Sequence, residues 1–342
     1  LLTMMTTVFD TASSVPSYDA VDPGQFRRLA AARTPFAIRD FASTWPAVKR
    51  ANKSDEELAR YLAGQAVKRE LPVIVAPAEA EGLFFYKSDL GGLNFNRQQV
   101  ALPLFLEHLL HLRSSPKPPG LFIQSTPIDD TLSRFSDENP NPYTPLVGGR
   151  MWLGNRTRVA THFDVADNLA VVVAGKRRFL LFPPETVGSL YVGPLDFTLA
   201  GQPVSLVDPR NPDLLTFPKF SEAAKMAIVC ELEPGDAIYI PSPWWHHVEA
   251  LSGFNMLVNY WWRDYPEACG TPFHWLIHGL LSIRHLPEAE RAAWRSMADH
   301  YIFEADGDPA AHLPPHARSV LGEMTPELAN QLRKWIRDNA FN

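Results

Sequence analysis

The chain has 342 residues, 46% of them hydrophobic and 20% charged, which is enough apolar material for one large globular domain or two modest ones. A formal charge of −6 argues against a surface built to hold nucleic acid. The two cysteines, Cys230 and Cys269, have no paired spacing and argue against a disulfide framework, and no apolar run reaches the roughly eighteen residues of a membrane span.

The opening "LLTMMTTVFD" lacks the basic stretch and sustained apolar core of a secretion signal, so the expected compartment is the cytoplasm. Residues 1–120 read as a mixed α/β segment that packs on a core. In it, "SDEELARYLAG" (54–64) is a helix with Ser54 and Glu57 as a capping box. "LPVIVAP" (71–77) is a short buried strand, and "QVALPLFLEHLLHLR" (99–113) is a helix with Pro103 in its first turn. Prolines such as Pro116, Pro118 and Pro119, and those of "NPNPYTP" (139–145), mark loops.

Residues 121–265 change character. "GLFIQS" (120–125) reads as a strand leading in. "MWLG", "RVATHFD", "NLAVVVAG", "RRFLLFPP", "AIVCELEPGDAIYIP", "WWHHVEAL" and "FNMLVNYWW" then follow as short strands punctuated by Gly and Pro. Such spacing predicts a sandwich or barrel. Residues 266–342 turn helical, at 271–285, 287–301 and 325–339. The last opens on Thr325 and Pro326, and Leu328, Leu332, Trp335 and Ile336 recur on one face. That face needs a covering surface, either this chain's own or that of a second copy.

The chemistry sits in the strand block. In "THFDVADN" (161–168), His162 and Asp164 are two apart, which on an extended strand puts them on one face, roughly 6–7 Å apart at Cα. A lone His-x-Asp carries no weight in a chain with 11 histidines. A second imidazole from "PSPWWHHVEAL" (241–251) adds the rest of a facial triad for a metal with open positions. Neighbours on a strand face opposite sides, so at most one of His246 and His247 can join.

"THFDVADNLAVVVAGKRRFLLFPPE" taken together with "LEPGDAIYIPSPWWHHVEALSGFNMLVNYWW" resembles the cupin-like JmjC-type Fe(II)/2-oxoglutarate oxygenases, and among them the asparaginyl-hydroxylase branch. The resemblance covers about residues 150–263. It implies a mainly β fold with flanking helices: a double-stranded β-helix (jelly-roll, cupin/JmjC-like) core and a C-terminal helical segment. It implies His162, Asp164 and His246 as ligands of Fe(II), His247 as the neighbour facing away, and the two tryptophans as walls of the site. For the co-substrate 2-oxoglutarate it implies Asn168, Asn259 and a cation at Arg177, with Trp261 in the pocket wall; Lys176 is the alternative cation, although strand alternation points it the other way. Arg can grip a carboxylate in a fork where the family uses Lys. Two departures concern the co-substrate: Phe122 stands where the family has a tyrosine, and Val159 where it has a threonine, with Thr157 or Thr161 as stand-ins.

The expected function is therefore an Fe(II)- and 2-oxoglutarate-dependent hydroxylase using O2 on a protein side chain or a small molecule. Its alternative is a non-catalytic metal-binding cupin that senses a small molecule. The C-terminal helices are expected to make a homodimer, as in the branch it resembles.

Overall fold

The computed structural model describes residues 7–339. Residues 1–6, part of the opening segment read above for a secretion signal, lie outside the described residues. The chain divides into two compact units between Trp262 and Arg263, where the sequence reading divides it at 265/266.

Eight strands make the centre of the first unit: β1 (Arg150–Gly154), β2 (Arg158–Phe163), β3 (Asp167–Ala174), β4 (Arg177–Phe182), β5 (Ile228–Leu232), β6 (Ala237–Ile240), β7 (Trp245–Ala250) and β8 (Asn255–Trp262). In space they alternate between two antiparallel sheets, β1-β8-β3-β6 and β2-β7-β4-β5, the arrangement of a jelly roll. The N-terminal segment extends both. Strands Glu70–Ala76, Asn96–Ala101 and Gly120–Pro127 continue the first sheet beyond β1, and Phe36–Arg39 and Ser17–Asp19 continue it beyond β6. Ser13–Ser14 and Leu83–Phe84 flank the second sheet.

The reason for this layering is legible in β3, which is buried at every position. A run of β-branched residues suits a strand covered on both faces. Leu169, Val171 and Val173 pack outward among Leu58, Leu62 and Leu106 of two helices. Ala170 and Val172 pack inward against Phe179, Val248 and Leu257. Each fully buried Val or Leu contributes about 1.5–3 kcal/mol, so β3 is the seam that joins helical layer to barrel interior. The turn that follows needs glycine. Gly175 has φ +72°, and a Cβ there would lie 2.2 Å from Asn255 Oδ1.

Two details differ from the sequence reading. The helix expected from 99 starts later: Asn96–Ala101 is an edge strand on Glu70–Ala76, and the helix is Leu102–Leu112 with Pro103 in its first turn. There the missing proline N–H has no intrahelical partner to lose. The capping box at Ser54 is half made. Ser54 Oγ accepts from Glu57 N at 3.2 Å, but Ser54 N bonds the Arg50 carbonyl and the Glu57 carboxylate pairs with Arg50 and Arg60.

The second unit holds helices Pro272–Ser282, Glu288–Tyr301 and Pro326–Asn339, the last with Thr325 Oγ1 accepting from Leu328 N at 3.2 Å. Its large apolar side chains are unusually open: Leu281 is 68% exposed, Phe303 57% and Trp335 65%. No helix of the described residues is long and apolar enough to cross a membrane.

Candidate metal centre and its two chambers

His162 and His246 are direct cross-strand partners on β2 and β7, and their ring centroids lie 4.3 Å apart. Asp164 follows one residue after the end of β2, in the turn toward β3, instead of on the strand itself. Ligand atoms of His162, Asp164 and His246 fall within 4.8 Å of one another, the single such group of three among the described residues. A small inward shift of the side chains would close the three on one ion with bonds of about 2 Å.

The surrounding bonds fix which atoms face it. Nδ1 of His162 lies 2.9 Å from the Ala160 carbonyl, and Nδ1 of His246 lies 3.1 Å from the Trp244 carbonyl. A carbonyl only accepts, so each Nδ1 carries the proton and each Nε2 keeps its lone pair for a metal. Burial pushes the His246 pKa down to about 4, which leaves the ring neutral and ready to coordinate near neutral pH. Asp164 Oδ2 accepts from Trp261 Nε1 at 3.1 Å and from Asn168 Nδ2 at 3.2 Å. Asn168 Oδ1 accepts from Asn259 Nδ2 at 3.1 Å, and Asn259 Oδ1 accepts from Trp152 Nε1 at 2.6 Å. These bonds aim the carboxylate, whose Oδ2 also lies 3.5 Å from His246 Nε2.

Two chambers meet at the triad. The inner one, about 60 Å³, is lined by Asn168, Arg177, His246 and Asn259 among others. The outer one, about 390 Å³, is lined by Phe84, Phe95, Gln124, Arg150 and Gln202 among others. Phe122, Gln124, Trp152, Val159, His162, Asp164 and Trp261 border both.

Arg177 is the informative residue of the inner chamber. It is 3% exposed, its Nη2 reaches only the Trp152 carbonyl at 3.5 Å, and its Nε has no hydrogen-bond partner. Burial alone drives its pKa down to about 9. A buried guanidinium short of acceptors costs several kcal/mol unless something anionic pairs with it. Lys176, one residue earlier, lies on the surface in an ion pair with Glu233 at 2.5 Å.

His247 lies on the other side of β7, 1% exposed, with Nε2 3.3 Å from Glu249 Oε1. Trp245 shares that outer face, edge-on to Phe163, and Trp244 sits in the turn with its Nε1 on the Arg33 carbonyl. Neither tryptophan lines a chamber, contrary to expectation; strand alternation turns Trp245 outward with His247, and the aromatic walls are Trp152 and Trp261. The stand-in threonines also fail. Thr157 and Thr161 are buried and line neither chamber. Thr161 faces away from its neighbour His162 by strand alternation, and the β2–β7 register is irregular, so that Val159 pairs with Val248 but His162 with His246. The extra residue on β2 brings Val159 onto the face of His162. Phe122 stacks on Phe84 at 5.7 Å, an apolar wall where a hydroxyl was sought. Sequence reasoning passed over Gln124, Arg150, Trp152 and Gln202. Of these, Trp152 had a signal in its alternation with Met151 and Leu153 on β1, and the rest had none.

A jelly roll with a His-x-Asp…His triad facing its interior is the architecture of the JmjC-type cupin oxygenases, whose members use Fe(II) and 2-oxoglutarate. Residues 23–268 match the family described as "Cupin-like domain", and the chain belongs to that family. It is 31% identical over 245 residues to "Lysine-specific demethylase JMJ30" of Arabidopsis thaliana, covering 70% of this chain and 52% of that protein. It is 38% identical over 109 residues to "tRNA wybutosine-synthesizing protein 5" of Homo sapiens, 32% of this chain and 31% of that one. With "HSPB1-associated protein 1" of Homo sapiens the identity is 33% over 113 residues, 32% of this chain and 22% of that protein. The chain thus spans about half the length of the first relative and less than a third of the other two.

Proposed function

We propose that this protein is an Fe(II)- and 2-oxoglutarate-dependent oxygenase that hydroxylates a protein side chain or a small molecule. The observation that carries this reading is Arg177: a buried guanidinium, short of acceptors, in a small chamber beside the His/Asp/His ligand set. A dicarboxylate answers both ends, one carboxylate at Arg177 and the oxo-acid end at the metal. When bound, the metal supplies the activation of O2 that couples breakdown of 2-oxoglutarate to succinate and CO2 with oxygen insertion into a substrate C–H bond. The chain's own residues do the rest. The Trp152–Asn259–Asn168 relay and Trp261 hold Asp164 in place. Phe122, Val159 and Trp261 keep bulk water from the reacting carbon.

The decisive experiment is turnover of 2-oxoglutarate to succinate by the iron-loaded protein, with and without candidate substrates. Succinate release that requires His162 and Arg177 is the expected result. Iron binding with no 2-oxoglutarate affinity would leave the non-catalytic sensor instead.

We also propose that the functional particle is a homodimer joined through the second unit. Leu332 is half-buried while Trp335 and Ile336 are exposed on one helix, and Leu281 and Phe303 are open in the same unit. Apolar surface of that extent is normally covered. Light scattering should give a dimer mass for the intact chain and a monomer mass for Leu332→Glu/Ile336→Glu.

A further inference from the structure

Each chamber holds one guanidinium, and the reading above gives a ligand only to the inner one. Arg177 lines the inner chamber and not the outer; Arg150 lines the outer chamber and not the inner. Arg150 opens β1. Its Nε donates to Ser125 Oγ at 2.7 Å and its Nη2 to the Ser125 carbonyl at 2.5 Å. Its guanidinium carbon lies 5.8 Å from the centre of the Trp261 ring. These contacts orient the group against the chamber wall and leave Nη1 without a hydrogen-bond partner among the described residues.

The backbone bends to make this arrangement. Ser125 has φ +49°, a left-handed conformation uncommon for a residue other than glycine. It falls where the pairing with β1 changes register between Ile123 and Thr126. A strained residue whose carbonyl and hydroxyl both serve one arginine points to a role for that arginine.

Charge then selects the ligand. The one carboxylate in the outer lining is Asp164, a metal ligand, and it makes no ion pair with Arg150. The other walls are apolar, such as Phe84, Phe95 and Leu199, or neutral amides, Gln124 and Gln202. With metal and co-substrate in place, the two charges of Fe(II) and the one of Arg177 are matched by Asp164 and the two carboxylates of 2-oxoglutarate. Arg150, half-buried, remains as a cation with no carboxylate partner among the described residues, facing a largely apolar space where an incoming anion would pair with it. A methylated ammonium would meet repulsion there and no free carboxylate.

We infer that the substrate presented to the metal carries a carboxylate, from a free organic acid or an acidic side chain, and that Arg150 receives it through Nη1 while the apolar part packs on the aromatic walls. The inference rests on the oxygenase reading, and the test separates the two. Calorimetry on the Mn(II)-loaded protein first measures 2-oxoglutarate binding. Two probe series follow on the binary complex: 3-phenylpropanoate against its amide and its ammonium analogue, and a blocked tripeptide with central glutamate against those with glutamine and lysine. The carboxylate should bind at least ~tenfold tighter, about 1.4 kcal/mol, in one series, and that series identifies the source. Arg150→Gln should erase the preference while Mn(II) and 2-oxoglutarate still bind, and Arg150→Lys should keep part of it. Absence of a carboxylate preference in both series at millimolar concentration, or a preference that survives Arg150→Gln, overturns the inference while leaving the oxygenase reading intact. Failure of Mn(II) or 2-oxoglutarate to bind the wild type removes both.

Discussion

The two faces of the β2-β7-β4 sheet carry similar residues and treat them oppositely. Inside, His162, His246 and Arg177 have more bonding capacity than the chain fills: two Nε2 lone pairs and a guanidinium with one weak acceptor. Outside, His247 bonds Glu249, which also receives Arg210 Nε at 2.5 Å and lies 3.6 Å from Arg178 Nη1. The outer charges are paired with one another, although His247 Nδ1 and Glu249 Oε2 lack hydrogen-bond partners, whereas the inner guanidinium has no anionic partner among the described residues. Burial of a polar group is therefore not by itself a functional signal; a buried charge with no counter-charge, in a chamber beside candidate metal ligands, is a stronger one.

The contrast can be broken residue by residue. Replacing His162, Asp164 or His246 with Ala should abolish Fe(II) or Mn(II) binding, whereas His247→Ala should keep it; metal titration of all four variants decides, and metal loss confined to His247→Ala would reverse the two faces. Next in size, Arg177→Ala should weaken 2-oxoglutarate binding by about 2–5 kcal/mol, the cost of truncating a buried charge clamp. Lys176→Ala, on an exposed pair, should stay below ~1 kcal/mol. Calorimetric titration of both variants tests this, and equal small effects would remove the clamp.

On the outer face, His247→Ala should lower folding stability by about 1–3 kcal/mol, because it strips a partner from a buried carboxylate. Urea unfolding of the metal-free protein measures that. The smallest effect is a pH dependence. Burial alone would raise the Glu249 pKa, but the bonds from His247 and Arg210 win and hold it at about 2. A depressed pKa contributes stability above the unfolded value near 4.5 that is lost as pH falls toward 2. The stability gap between wild type and Glu249→Gln should accordingly narrow over that window. A gap that stays constant from pH 5 to about 2.5 would mean Glu249 is not the titrating group.

Much of this protein was decided by local pattern. The eight strands of the jelly roll follow from short β-branched runs with Gly and Pro between them, and β3 shows why: an unbroken apolar run leaves a strand no choice but two covered faces. Strand period places His246 and His247 on opposite sides and sends Arg177 and Lys176 apart, since side chains alternate whatever the fold. What local pattern cannot supply is a break in its own period or a neighbour from far along the chain. The register change on β2 that turns Val159 inward depends on how β2 meets β7. The aromatic walls come from Trp152 and Trp261, because pairing across the β1-β8-β3 sheet brings Trp152, Asn259 and Asn168 into one relay. Arg150 gained its place only when a bend near Ser125, 25 residues earlier, closed on it. Alternation is a property of a strand's own backbone, whereas a pocket is made of side chains that only the packing of several strands brings together.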